Sequence, residues 1–124
     1  MTDLTPPPAE LLVCIKCLRG GEAPETGTRP GEALFARLAP LMPKGVTLRA
    51  TECLSNCTRG CSIALRGPGR WTFVYGDLDE TTDAEVVAEG ARLYRAAPDG
   101  LVPWRSRPEH FKRHCIARIP PLED

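Results

Sequence analysis

The apolar positions fall into short, distinct rhythms. Leu11-Leu12-Val13-Cys14-Ile15 is a continuous apolar run and predicts a first strand over residues 10–15, buried on both faces. Residues 18–29 are rich in glycine and proline and predict a loop. Pro30 suits the first position of a helix, where its missing N–H costs nothing. Leu34, Phe35, Leu38, Leu41 and Met42 then recur at helical spacing until Pro40 and Pro43 end the element. Val46 to Thr51 alternates apolar and polar, as a strand with one buried face does. Residues 52–60 read as a loop. Ser62 to Arg66 and Trp71 to Tyr75 read as a hairpin turning at Gly67-Pro68-Gly69. Thr82 with Glu85 three residues on predicts a capping box. Behind it a helix puts Val86, Val87, Gly90, Ala91 and Tyr94 on one face and charges such as Glu85, Glu89, Arg92 and Arg95 on the other. From Leu101 onward, proline-rich sequence with Trp104, Phe111, His110 and His114 shows no period.

The order is strand, helix, strand, strand, strand, helix and tail. One crossover helix between the first two strands implies a parallel pair with a right-handed connection, and the hairpin adds antiparallel strands. The expected class is α/β, a small mixed sheet with an irregular C-terminal extension. The domain division is a Pro-rich disordered tail over residues 1–9, a folded unit over residues 10–97 and an extension over residues 98–124 packed on it.

Length and charge narrow the function. A chain of 124 residues has room for one modest core, and 16 Lys and Arg balance 16 Asp and Glu. No net charge steers the chain to nucleic acid or a membrane, and no apolar run approaches the length of a bilayer span. The N-terminus has neither the basic nor the apolar region of a signal peptide, so the expected location is cytoplasmic. Six cysteines in a reducing compartment point to metal or redox chemistry rather than disulfides. No nucleophile–base pair, phosphate-binding glycine loop or paired carboxylates accompany them, so an enzyme is not expected.

The cysteines lie in two groups, with Cys115 apart. Cys14 and Cys17 follow the first strand; Cys53, Cys57 and Cys61 lie between the second and third strands. Both groups leave neighbouring strands and should meet at one end of the sheet. Four converging thiolates suit a [2Fe-2S] or [4Fe-4S] cluster or a tetrahedral zinc, and disfavour hard cations. A thioredoxin-type dithiol at Cys14 and Cys17 is disfavoured because the glycines after Leu18 do not open a helix. A buried helical stripe of Cys53, Cys57 and Cys61 is disfavoured by Ser55-Asn56 and Arg59-Gly60. Cys115 reads as incidental. His110 and His114, four apart, read as ordinary surface histidines rather than metal ligands.

The pattern Cys53-Leu54-x-x-Cys57-x-Arg59-Gly60, followed by a short strand, a turn and an aromatic strand, resembles the thioredoxin-like [2Fe-2S] ferredoxins. The resemblance implies a thioredoxin-like fold, a [2Fe-2S] cluster ligated by Cys14, Cys17, Cys53 and Cys57, and an electron carrier serving a reductase or oxidase. It also implies a homodimer as one form of assembly. Those ferredoxins commonly have proline where this chain has Cys61, which is then either a spare thiol or a replacement ligand. Lys16, Arg19, Arg59 and Arg66 lie in or beside the loops, where positive charge would favour the reduced cluster. The segments from Cys53 to Cys61, Tyr75 to Leu78 and Trp104 to Glu109 also resemble small bacterial proteins of predicted metal binding, often encoded near cobalamin-biosynthesis genes. That resemblance implies a cobalamin-related redox step. The alternative is a thiolate module that binds or delivers zinc or cobalt without a cluster.

Overall fold

Strand pairing in the computed structural model, which describes residues 8–15, 29–52 and 61–121, follows the burial rhythm of the sequence. Five strands form one sheet: β1 (Ala9–Cys14), β2 (Val46–Thr51), β3 (Ile63–Arg66), β4 (Thr72–Tyr75) and β5 (Cys115–Ile119), in the order β2-β1-β3-β4-β5. β1 and β2 run parallel, joined by a crossover that contains α1 (Pro30–Leu38); every other pair is antiparallel. The expected β-α-β-β-β-α order stands, with α2 (Ala84–Ala96) after β4.

Register fixes which side chains face the helices. Leu11 pairs with Leu65, which pairs with Phe73; Val13 pairs with Ile63, which pairs with Tyr75. These two rows are buried and form the centre of the core with Leu34 and Leu38 of α1 and Val87, Ala91 and Tyr94 of α2. Each Val, Leu, Ile or Phe among them contributes about 1.5–3 kcal/mol by leaving water. The opposite face of the sheet carries Glu10 bonded to Arg49 and Arg66.

Each helix ends where the chemistry predicts, with one correction. Pro30 opens α1, and the Arg29 N–H donates to Glu32 Oε1 at 3.3 Å. Pro40 cannot continue the ladder, so Ala39–Leu41 tightens into a 3₁₀ turn. α2 does not use Thr82 and Glu85 as a capping box. Its N-cap is Asp83, whose carboxylate accepts the Asp79 N–H at 2.7 Å. The Thr82 and Asp83 N–H groups both turn back to the Asp79 carbonyl, so the chain is still in a tight turn at Thr82.

The extension is more regular than expected. It carries α3 (Glu109–Arg113) and then β5, which continues the sheet. Phe111 of α3 is 3 % exposed and stacks on Tyr75 with ring centroids 4.0 Å apart. Gly90 makes room for it: a Cβ there would lie 2.0 Å from the Phe111 ring.

One buried charge ties the end of the sheet at the β3–β4 turn. Arg70 is 1 % exposed and donates to three carbonyls: Pro8 at 3.2 Å, Arg95 at 2.7 Å and Ala97 at 3.3 Å. Two of these close the C-terminus of α2, where the helix dipole favours a cation. Burial pulls the guanidinium below its ordinary pKa, with Tyr94 acting in the opposite direction. Among the described residues no helix is long and apolar enough to cross a membrane.

Candidate functional site

Four chain ends meet at the other end of the sheet. β1 ends at Cys14 beside Thr51, the last residue of β2, and the Ile15 N–H donates to the Thr51 carbonyl at 2.9 Å. β3 begins on the other side of β1, where the Cys14 N–H donates to the Ser62 carbonyl at 3.1 Å. The N-terminus of α1 presses on the same residue: a Cβ on Gly31 would lie 1.9 Å from the Cys14 carbonyl oxygen. The segments between residues 15 and 29 and between residues 52 and 61 therefore start and finish at one corner. Topology alone brings them there, because a parallel pair and its antiparallel neighbour place two C-terminal ends beside one N-terminal start.

The expected site residues divide accordingly. Cys14 lies at this corner, 4 % exposed, and its thiol donates to the Glu52 carbonyl at 3.6 Å. Cys61 lies one step before Ser62, fully buried. Its N–H donates to the Leu78 carbonyl at 3.1 Å and its carbonyl accepts the Leu78 N–H at 3.2 Å. Cys17, Cys53, Cys57, Lys16 and Arg59 fall outside the described residues, as do Arg19, Gly20, Gly21 and Gly60. Arg66 does not belong here. It closes the far end of β3, where it bonds Glu10 at 3.1 Å, because β3 runs away from the cysteine corner. None of Cys14, Cys61 and Cys115 is in a disulfide. Among the described residues no three His, Cys, Asp or Glu side chains are grouped to hold a metal ion.

The segment that follows β4 joins the extension to this corner. The Gly76 N–H donates to the His114 carbonyl at 3.2 Å, and Leu78 pairs with Cys61. His110 and His114 stack with ring centroids 4.3 Å apart. His110 Nε2 lies 2.9 Å from the Gly76 carbonyl and His114 Nδ1 lies 3.1 Å from Asp77 Oδ2. Asp77 adopts a φ of 58°, which a short polar side chain tolerates. The histidines are thus a stacked pair pinning the extension, not two independent surface groups. Helical spacing does not foretell this, since His114 lies just past α3; the Gly76-Asp77 step after an aromatic strand is the only local signal. Cys115 is on the edge strand, its thiol pushed up by burial against the opposing pull of Arg107, an Ala117 hydrogen bond and Arg118.

Two solved structures share this fold. A thioredoxin-like [2Fe-2S] ferredoxin from Aquifex aeolicus superposes with a TM-score of 0.57 at 14 % identity, covering 95 % of this chain and 99 % of that one. A structure described as the wild-type thioredoxin-like [2Fe-2S] ferredoxin from the same organism gives a TM-score of 0.54 at 16 % identity, covering 90 % and 98 %. At these identities the likeness establishes the fold, which is thioredoxin-like. No curated protein matches the sequence. Residues 11–121 match a family described as "Protein of unknown function (DUF1636)".

Proposed function

The chain belongs to the DUF1636 family, and from that premise we propose that it is a [2Fe-2S] ferredoxin-like electron-transfer protein, not an enzyme, acting in the cytoplasm. The observation that carries this reading is the corner where β1, β2, β3 and α1 meet. Cys14 is buried there, and the segments bearing Cys17, Cys53 and Cys57 both begin and end there. Thiolates delivered from two loops to one place are the donor set that an iron–sulfur cluster takes. The thioredoxin-like fold, shared with the two ferredoxin structures, supports the same assignment.

Cys14, Cys17, Cys53 and Cys57 would hold the cluster, which supplies one-electron chemistry when bound. Cys61 is fully buried and its backbone pairs with Leu78, which favours Cys17 over Cys61 as the fourth ligand. Lys16 and Arg59 would raise the potential by favouring the extra electron. A redox partner protein would dock over the loops, and neither nucleic acid nor a membrane is needed; a homodimer fits the same reading. A cobalamin-related redox step is the pathway we assign on the segments from Cys53 to Cys61, Tyr75 to Leu78 and Trp104 to Glu109.

Iron, acid-labile sulfide and the visible spectrum of protein purified without oxygen test the proposal. The expected result is about two irons and two sulfides per chain with absorbance that bleaches on dithionite. Zinc or cobalt without sulfide would replace it with a mononuclear thiolate module for metal binding or delivery.

A further inference from the structure

The charge of this balanced chain is not evenly spread. Residues 101–124 carry Arg105, Arg107, Lys112, Arg113 and Arg118 against Glu109, Glu123 and Asp124, an excess of cations in a chain whose totals are 16 and 16. The fold gathers several of these cations on the aromatic side chains beside β4 and β5. The Arg118 guanidinium lies 5.0 Å from the Trp71 ring centroid. The Arg107 guanidinium lies 5.6 Å from Trp104 and 5.8 Å from Phe73, and Lys112 Nζ lies 5.9 Å from Trp104. Trp104 is 57 % exposed, far more than any other large aromatic ring in the fold requires. Glu109 engages Lys112 and Arg113. Among the described residues Arg105, Arg107 and Arg118 form no ion pair.

We propose that this surface of the extension and the β5 edge docks an acidic protein partner through its aspartate and glutamate side chains. A guanidinium laid on an aromatic ring has lost rotamer freedom before binding, and its N–H edge presents a planar fork that a carboxylate matches with two bonds. Arg107 is held further by its Nε, which donates to the Val102 carbonyl at 2.7 Å and leaves the two terminal nitrogens for a ligand. Single-stranded nucleic acid fits less well. Stacking a run of bases needs several open ring faces, and among the described residues Trp104 is the one large aromatic ring left exposed. The exposed Trp104 supplies the kind of apolar anchor that protein interfaces concentrate at their centres. The surface goes beyond the cluster reading and does not depend on it.

Dye-labelled poly-L-glutamate titrated with the full-length protein and followed by anisotropy tests this. The chain has two tryptophans, Trp71 and Trp104, both on this surface, so a shift of intrinsic emission during the titration places the contact. The double variant Arg107→Gln/Arg118→Gln should bind about ten-fold more weakly. A matched loss of two cations elsewhere, Arg37→Gln/Lys44→Gln, should change affinity less than about two-fold. Arg118→Gln alone, an exposed substitution on an edge strand, should give an intermediate loss without change in the thermal midpoint. No binding, an equal loss in the Arg37 and Lys44 variant, or tighter binding to oligo(dT) than to poly-L-glutamate would overturn the proposal, the last in favour of nucleic acid. The titration uses the protein as purified with its iron content measured alongside, so failure here leaves the cluster reading standing, and absence of iron leaves this surface standing.

Discussion

The two ends of the sheet are built on different terms. At the end where β1 starts and β3 finishes, side chains do the fastening: Arg70 spans three carbonyls, Tyr94 Oη donates to the Trp71 carbonyl at 2.6 Å, and Glu10 bridges Arg49 and Arg66. At the end where β1 finishes, main-chain bonds among the described residues tie Cys14 to Ser62, Ile15 to Thr51 and Cys61 to Leu78. Those amides and carbonyls fix the backbone of the corner, and the Cys14 thiol itself donates to the Glu52 carbonyl at 3.6 Å. Among the described residues the buried guanidinium, Arg70, thus lies at the end away from the corner that receives the cysteine-bearing segments.

The sharpest way to break that contrast is at Arg70. Arg70→Met keeps the apolar stem and removes all three donors, leaving the Pro8, Arg95 and Ala97 carbonyls without them. At about 1 kcal/mol per bond lost, the variant should be destabilised by about 3 kcal/mol in urea denaturation. A loss below about 1 kcal/mol would mean the guanidinium fastens nothing, and the proposed asymmetry between the ends would fail with it.

A second lesion tests how the extension is anchored midway. Gly90→Ala drives a methyl into the Phe111 ring and should cost about 2 kcal/mol by overpacking. Combining it with Phe111→Leu should cost less than the sum of the two single losses, because the two residues share one contact. Strict additivity would show that α3 does not rest on α2 at Gly90.

Alkaline pH probes the fastened end again. Burial pushes the Tyr94 hydroxyl up to about 12, against a partial opposing effect of Arg70, and pushes Tyr75 up in the same direction. A group whose pKa is higher in the folded than in the unfolded chain contributes stability that is complete below the unfolded value and lost as pH rises through the folded one. The Tyr94 contribution should therefore hold below pH about 10 and fade by pH about 12, a loss of about 2 kcal/mol. Thermal midpoints across this window, with tyrosinate absorbance recorded alongside, measure it. Tyr94→Phe should flatten part of the fall, and an unchanged slope would assign the effect to Tyr75.

How much of this was legible in the sequence follows from what each residue does. β2 and β4 alternate in sequence because one face packs on the core, whereas the central β3 buries Ile63, Ala64 and Leu65 in a row and reads as a short apolar run; Pro30, Pro40 and the Gly67-Pro68-Gly69 turn punctuate the elements by local geometry. β5 was not legible. Four of its five residues are exposed, so its membership in the sheet comes from backbone pairing with β4 and leaves no hydrophobic rhythm. Arg70 was equally hidden, since an arginine after Gly67-Pro68-Gly69 looks like any solvated turn residue until the α2 carbonyls arrive around it. That the ends of the cysteine-bearing segments share one corner was readable because it needs only topology, and Cys14 lies at that corner, while Cys17, Cys53 and Cys57 fall outside the described residues. The placement of Arg66 near the same corner failed because strand direction carries a residue at the end of β3 across the whole sheet.

The smallest predicted effects lie at the start of α2, close to the cysteine corner, and they separate two cap assignments. The sequence nominates Thr82 with Glu85, whereas the structure makes Asp83 the N-cap and ties its carboxylate to the Asp79 N–H at 2.7 Å. Asp83→Ala removes that bond and a favourable charge at the helix N-terminus, and should cost about 1 kcal/mol. Thr82→Ala removes an exposed side chain that caps nothing, and should cost less than about 0.5 kcal/mol. Both are read from the same urea transitions. The reverse ranking would restore the capping box and begin α2 one residue earlier. The predicted ranking would show that the turn at Asp79, next to the Leu78 pairing with Cys61, sets where the helix begins.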